Sequence, residues 1–241
     1  MSEPVAHEDS GGLTSRRLVW DLPLRLFHWL FAGAVAACWI TAKVGFDWMQ
    51  YHFYLGYLVI GLLIFRVIWG FIGPRHARFS SFLEKPSALQ AYARQLFHRN
   101  STPSVGHNPI GGLMVILMLL LAVVQVSTGL FSTDAVIWTG PYYPLVKHST
   151  ASLLSSIHSV NQNIILGAVG LHILAIIYYR VYKKQSLVSA MFTGYKPAAL
   201  VSPQQAISSS QLLKAVVVCA VAACVVYVLI VNAPPPPDNT F

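Results

Sequence analysis

Charged residues are scarce in this 241-residue chain, only 10% of it, against about 25% in ordinary soluble domains. Acidic residues are scarcer still, eight Asp and Glu against sixteen Lys and Arg. With 55% of residues apolar and a mean hydropathy of +0.58, the chain is neither a typical soluble domain nor a disordered one. Cysteine is rare as well: three residues, all in apolar runs, make no disulfide framework. No C-x-x-C-H occurs, which excludes covalently attached c-type haem. No G-x-x-x-x-G-K-[ST] occurs either, which excludes a P-loop. A net charge of +8 would suit nucleic acid, but the basic residues follow membrane topology instead.

Five apolar stretches are long enough to cross a hydrocarbon core of roughly 30 Å as helices, which takes about 17 to 25 residues. They are residues 24–43, 51–72 (interrupted by Arg66), 109–131, 158–179 and 212–231, the last with one lysine at its start. The first is preceded by a polar arm and lacks a small-residue cleavage site, so it reads as a retained span, not a signal peptide. With the N-terminus inside, fourteen of the sixteen basic residues fall on the inner side and only Lys43 and Lys147 on the outer side. That asymmetry predicts a cytoplasmic N-terminus and an external proline-rich tail at residues 234–237. Trp20, Trp48, Tyr51, Trp138, Tyr142 and Tyr143 fall where interfacial aromatic belts lie. In the inner loop, Pro86 and Ser87 start a stretch that puts Leu89, Tyr92, Ala93, Leu96 and Phe97 on one face, with Arg94, His98 and Arg99 as polar partners. The spacing predicts a short helix on the cytoplasmic surface, with a solvated loop as the alternative.

Nine histidines occur, and four of them carry the chemistry. His7, His76, His98, His107 and His148 lie in polar stretches and read as solvated. His28, His52, His158 and His172 lie within or at the ends of spans, where an ionisable group is costly and functional by default. Topology sets their depths: His28 near the inner side, His52 and His158 near the outer side. His172 lies 14 residues after His158, which is about 21 Å lower and within about 40° of the same direction. His28 can therefore meet His172 on the inner side, and His52 can meet His158 on the outer side. Two facing imidazoles from different helices are what a six-coordinate haem iron needs. Zinc wants four ligands converging at one point, and a di-iron centre wants clustered Glu-x-x-His pairs; neither pattern is present. The expectation is two b-type haems stacked across the membrane in a four-helix bundle.

Other residues fit this reading with less specificity. Gly33, Gly56, Gly167 and Gly170 lie near the histidines and would let a flat macrocycle approach, although small residues also serve ordinary helix packing. Arg66 lies 14 residues after His52, on its face but at the inner level, and Arg25 lies three before His28. Each guanidinium matches a haem propionate; the alternative is snorkelling toward cytoplasmic headgroups.

Four stretches now show a resemblance: residues 19–29 (VWDLPLRLFHW), 52–70 (HFYLGYLVIGLLIFRVIWG), 128–131 (TGLF) and 186–196 (SLVSAMFTGYK). The chain is similar to the bacterial cytochrome b561 and Ni,Fe-hydrogenase-type cytochrome b family of membrane electron carriers, over roughly residues 18–196. The resemblance implies a four-helix core with two non-covalent haem b groups. It carries their ligands to His28 before Trp29, to His52 four residues before a glycine, and to the fourth-helix pair His158 and His172. A fifth spanning segment with a proline-rich end follows the family region. The domain reading is an arm at residues 1–17, a di-haem domain at 18–196, and a linker, fifth helix and tail at 197–241. The fold expected is an all-α membrane protein of the bacterial inner membrane: a four-helix haem-binding bundle plus a fifth C-terminal helix.

Function follows from ligation. Bis-imidazole iron has no open position, which favours electron transfer over O₂ binding. The expectation is an electron carrier, more a redox subunit than an independent catalyst, linking the quinone pool to a cytochrome c or a dehydrogenase- or hydrogenase-type partner. Two alternatives stand beside it: a stand-alone quinol oxidoreductase with a small acceptor such as superoxide, and a non-redox membrane scaffold. Polar candidates for a quinone site occur at both ends, Lys147 and His148 outside and Arg66 and Arg75 inside. No nucleic-acid partner is expected, and an oligomer is left open.

Overall fold

The computed structural model describes residues 15–98 and 103–235. His7, Arg99 and the last two prolines of the tail lie outside them. Five helices are long and apolar enough to cross a membrane: α1 (Leu22–Val44), α2 (Met49–Ile72), α4 (Pro109–Gly129), α5 (His148–Val181) and α7 (Leu212–Val231). Two shorter helices, α3 (Pro86–Gln95) and α6 (Leu187–Thr193), lie between them. Asp21 caps α1 by accepting from the Leu24 N–H at 2.9 Å, and Asn108 caps α4 by accepting from Gly111 at 2.7 Å. Proline follows each cap inside the first turn, where its missing N–H costs nothing. Helix α1 packs along α2, α4 along α5, and α7 along α2, while α2 also meets α4.

Helix α5 is longer than the apolar stretch that marks it. Its 34 residues begin at His148, so His158 sits about 15 Å inside the helix and not at its start. The first ten residues are serine-rich and carry little apolar signal. Their hydroxyls bond back to the preceding turn, Ser155 Oγ to Ala151 O at 2.9 Å and Ser156 Oγ to Ser152 O at 3.0 Å. At roughly 51 Å, α5 exceeds a bilayer core of about 30 Å.

The inner (basic) end is closed by segments far apart in sequence. Strand β1 (Arg16–Leu18) pairs antiparallel with β2 (Tyr195–Pro197), and the Val19 and Trp20 N–H groups both donate to Gly194 O, at 2.9 and 3.0 Å. Gly194 ends α6 at φ 87°, and a Cβ there would stand 2.7 Å from Trp20 O, so only glycine fits. Phe192 of α6 stacks on Trp29 of α1 at 4.4 Å. Beneath this staple lies the main apolar cluster, with Val19, Trp20, Leu24, Phe27, Phe65, Trp69 and Val201 all buried. Trp20 is only 5% exposed, wedged between His76 and His107, and so belongs to this core and not to an interfacial belt. Trp48 and Tyr51, 49% and 53% exposed, stand at the outer end, where a belt belongs.

Helices α3 and α7 are docked. Tyr92 of α3 shares a 2.7 Å hydrogen bond with Tyr179 of α5, Tyr178 donates to Leu96 O, and Tyr182 donates to Phe97 O. Tyrosine hydroxyls thus fasten the surface helix to the inner end of α5. Helix α7 buries Ala215, Val218 and Ala222 against the core, and its Leu229 O accepts from Tyr142 at 2.8 Å.

Candidate haem-ligating centre

The structure brings the four membrane histidines together in two couples. His28 of α1 and His172 of α5 face each other at the inner level, with ring centroids 6.4 Å apart. His52 of α2 and His158 of α5 face each other at the outer level, 6.3 Å apart. Two imidazoles on opposite sides of one metal, each bonded at about 2 Å, hold their ring centres roughly 6 Å apart. Among the described residues, no three His, Cys, Asp or Glu side chains converge as a cluster for a bare ion.

The outer couple is anchored. The Nδ1–H of His52 donates to Cys38 O at 2.9 Å, and that of His158 donates to Gln125 O at 2.9 Å. A carbonyl can only accept, so the tautomer is set and Nε2 is left as the free lone pair on each ring. Metal-ligating histidines are commonly held this way, by a hydrogen bond from the other ring nitrogen. Around His158 the polar contacts continue along one stripe of α5. Asn161 donates to Leu121 O at 2.9 Å and to Gln125 Oε1 at 2.7 Å, and Ser155 Oγ accepts from the Thr133 N–H at 2.9 Å. Thr128 Oγ lies 3.3 Å from His158 Nδ1, and a Cβ on Gly129 would stand 2.9 Å from the His158 Cε1. The first two residues of the T-G-L-F stretch, Thr128 and Gly129, are therefore the surface on which the His158 ring lies.

The inner couple is built differently. His28 Nδ1 is buried without a hydrogen-bond partner, and the ring lies edge-on to Trp29 at 4.9 Å. Two arginines stand at this level. Arg25 donates from Nη1 to Phe192 O, which ties α1 to α6, while its Nε is buried without an acceptor. Arg66 is 1% exposed, with its guanidinium 4.7 Å over the Phe79 ring and its Nη1 without an acceptor. Asp21 lies near it, takes the Trp69 Nε1–H at 3.0 Å and is buried, which raises its pKa. Gly56, one turn from His52, faces open space: a Cβ there meets no atom within 4 Å, and the same holds for Gly33, Gly167 and Gly170.

Two histidines that sequence reading leaves in solvent are not there. His76 is 8% exposed, and its Nε2 bonds Gln205 O at 2.7 Å. His107 packs edge-on against Trp20 and tilted against Phe82, each at 4.7 Å. Desolvation pushes the His107 imidazole down to about 3, with the Arg66 charge acting in the same direction. Both line a polar cavity of about 420 Å³ on the inner face, with Arg75, Glu84, Tyr92, Ser104 and Gln205. Neither has a signal in its own stretch of sequence: Trp20, Phe82 and Gln205 come from elsewhere in the chain. His98 and His148 are exposed. Lys147 and His148 sit at the outer start of α5, where His148 Nδ1 lies 3.3 Å from the Tyr143 hydroxyl.

Comparison with known proteins bears on these observations. A family model described as prokaryotic cytochrome b561 matches residues 19–194, from the start of the β1–α1 junction to the α6 staple. Curated relatives are named probable Ni/Fe-hydrogenase B-type cytochrome subunits. The one from Azotobacter vinelandii is 25% identical over 213 residues, covering 74% of this chain and 87% of its own. That from Cupriavidus necator is 25% identical over 222 residues, covering 78% and 89%. That from Rhizobium leguminosarum is 24% identical, covering 73% and 87%. No solved structure matches the chain. A helical bundle with five membrane-spanning helices, paired imidazoles in its interior and this match over most of its length place the chain in the prokaryotic cytochrome b561 family, multi-pass bacterial membrane proteins that carry electrons on haem b.

Proposed function

We propose that the chain holds two haem b groups and carries electrons between the quinone pool and a hydrogenase-type or other redox partner. The observation that carries this reading is the spacing of the two imidazole couples, 6.4 and 6.3 Å between ring centres. His28 and His172 would hold one iron, His52 and His158 the other. Haem so ligated supplies one-electron oxidation and reduction, with both axial positions filled.

The residues present fit that group. Arg25 Nε and Arg66 Nη1 are buried donors without acceptors on the inner side, and porphyrin carboxylates are the acceptors that guanidinium geometry matches. Gly56 leaves open space beside the outer couple. The carbonyls of Cys38 and Gln125 orient the outer rings. The apolar character of α1, α2, α4 and α5 suits a water-free interval between the two levels. The polar cavity beneath α3 offers quinone oxygens donors at Arg75, the Tyr92 hydroxyl and the His107 imidazole. The naming of the curated relatives as hydrogenase subunits favours a hydrogenase-type partner for this chain.

The test is a reduced-minus-oxidised spectrum with haem and protein quantified. About two low-spin, extractable haems per chain are expected. His28→Ala and His172→Ala should each remove the same haem, and His52→Ala and His158→Ala the other. If His28→Ala and His52→Ala abolish one common haem, the pairing is wrong; a colourless wild-type protein would overturn the redox reading itself.

A further inference from the structure

Thr41 and Thr128 occupy equivalent places in two helices that are not neighbours in sequence. In α1, Thr41 Oγ donates to Ala37 O at 2.8 Å, with Cys38 O 3.1 Å away. In α4, Thr128 Oγ donates to Val124 O at 2.7 Å, with Gln125 O 3.1 Å away. Both threonines are buried, at 5% and 6% exposure. In each helix the carbonyl three residues before the threonine, Cys38 O or Gln125 O, is the one that accepts the Nδ1–H of an outer histidine at 2.9 Å.

The repetition has a physical reason. A carbonyl inside an α-helix already accepts from the N–H four residues on, and its second lone pair is reachable only where the turn opens. Threonine hydroxyls bonded back to the preceding turn often bend a helix, and carbonyls on the convex side of a bend tilt outward. The imidazole then finds an acceptor that straight helix would not present. An imidazole whose Nδ1–H is so held is a more basic ligand through Nε2, and a more basic ligand favours the oxidised metal. The inner couple has no such device at His28, whose Nδ1 has no partner among the described residues.

We infer that Thr41 and Thr128 are positioning residues for the outer couple, which present the Cys38 and Gln125 carbonyls to His52 and His158 and so lower the redox potential of the haem held there. This rests on the two-haem reading above. The experiment is a redox titration of the full chain in detergent or nanodiscs, with each haem followed separately and the outer one identified as that lost in His158→Ala. The variants are Thr41→Val and Thr128→Val, which keep shape and drop the hydroxyl, and Thr41→Ser and Thr128→Ser, which keep it. Each Val variant should shift the outer ferric-to-ferrous ratio about threefold toward ferrous. The double variant should shift it about tenfold, roughly 59 mV for a one-electron couple. The inner haem and both Ser variants should stay at wild-type values. A Val variant that loses the outer haem alone supports the same role, because the ring is then no longer held. An unmoved outer potential in the double Val variant, equal shifts of both haems, loss of both haems, or Ser shifts as large as Val shifts would each overturn it. Wild-type protein with two haems but no such response leaves the electron-carrier reading standing; wild-type protein with fewer than two haems removes the ground under both.

Discussion

Replacing Gly129 with alanine perturbs one haem site without touching a ligand. The added Cβ would stand 2.9 Å from Cε1 and 3.2 Å from Nδ1 of His158, where ordinary contact begins near 3.4 Å. The ring or the end of α4 must give by about 0.5 Å, and a metal–ligand bond tolerates only about 0.2 Å. The crowded edge of the ring is also the one held at Nδ1 by Gln125 O at 2.9 Å, one turn before Gly129 on the same helix, so relief must come at the metal-facing nitrogen or from the helix pair. Overpacking of this kind costs about 1–3 kcal/mol. Charged to one site, that weakens retention of the outer haem roughly 5- to 150-fold and leaves the inner one alone. The assay is the haem-to-protein ratio during dilution into haem-scavenging apomyoglobin, with low-spin signals recorded by electron paramagnetic resonance. Selective loss of the outer signal is the expected result. Retention of both signals with wild-type release rates would refute the claim that the His158 ring lies on Gly129 when the site is loaded.

Four further outcomes follow from the same structure. Asp21→Ala removes the α1 cap and orphans the buried Trp69 N–H, a loss of about 2–4 kcal/mol, read as a lower thermal midpoint for the purified protein. His107 is held neutral to about 3 in the fold but takes up a proton near 6.5 when unfolded. Its depressed value makes stability fall as pH drops below 6.5, by up to about 1.4 kcal/mol per unit, and His107→Leu should flatten that slope in acid-denaturation curves. Tyr92→Phe removes the Tyr92–Tyr179 bond, about 1 kcal/mol, and should speed amide exchange across Pro86–Gln95 while α4 is unchanged. Arg75→Ala, on the polar cavity, should raise the KM for a soluble quinol analogue several-fold with haem content intact; an unchanged KM would remove that cavity from the quinone reading.

Much of the scaffold is legible in the string because a membrane demands it. A span must be long and apolar, so α1, α2, α4 and α7 fall within two residues of their apolar stretches at both ends. Helix α5 breaks the rule at its outer end, where serines that bond back to the helix replace the apolar signal. The surface helix α3 shows in the amphipathic spacing from Pro86, but nothing in that spacing points to Tyr178, Tyr179 and Tyr182 as its fasteners. His76 and His107 sit among polar neighbours in sequence and are enclosed only because Trp20, Phe82 and Gln205 arrive from elsewhere.

Composition and periodicity alone settle that this chain crosses a membrane five times, with basic loops at one end and four histidines at two depths, because bilayer thickness and helical rise turn residue count directly into depth. Which carbonyl orients which imidazole, that Gly129 supports a ring, that Arg25 reaches across to Phe192, and that residues 16–18 seal the inner end by pairing with residues 195–197 came only with the folded chain. Each is a contact between positions that share no repeat and no neighbourhood in sequence. Its energy depends on distances of a few tenths of an ångström, which helix packing decides and hydropathy does not record.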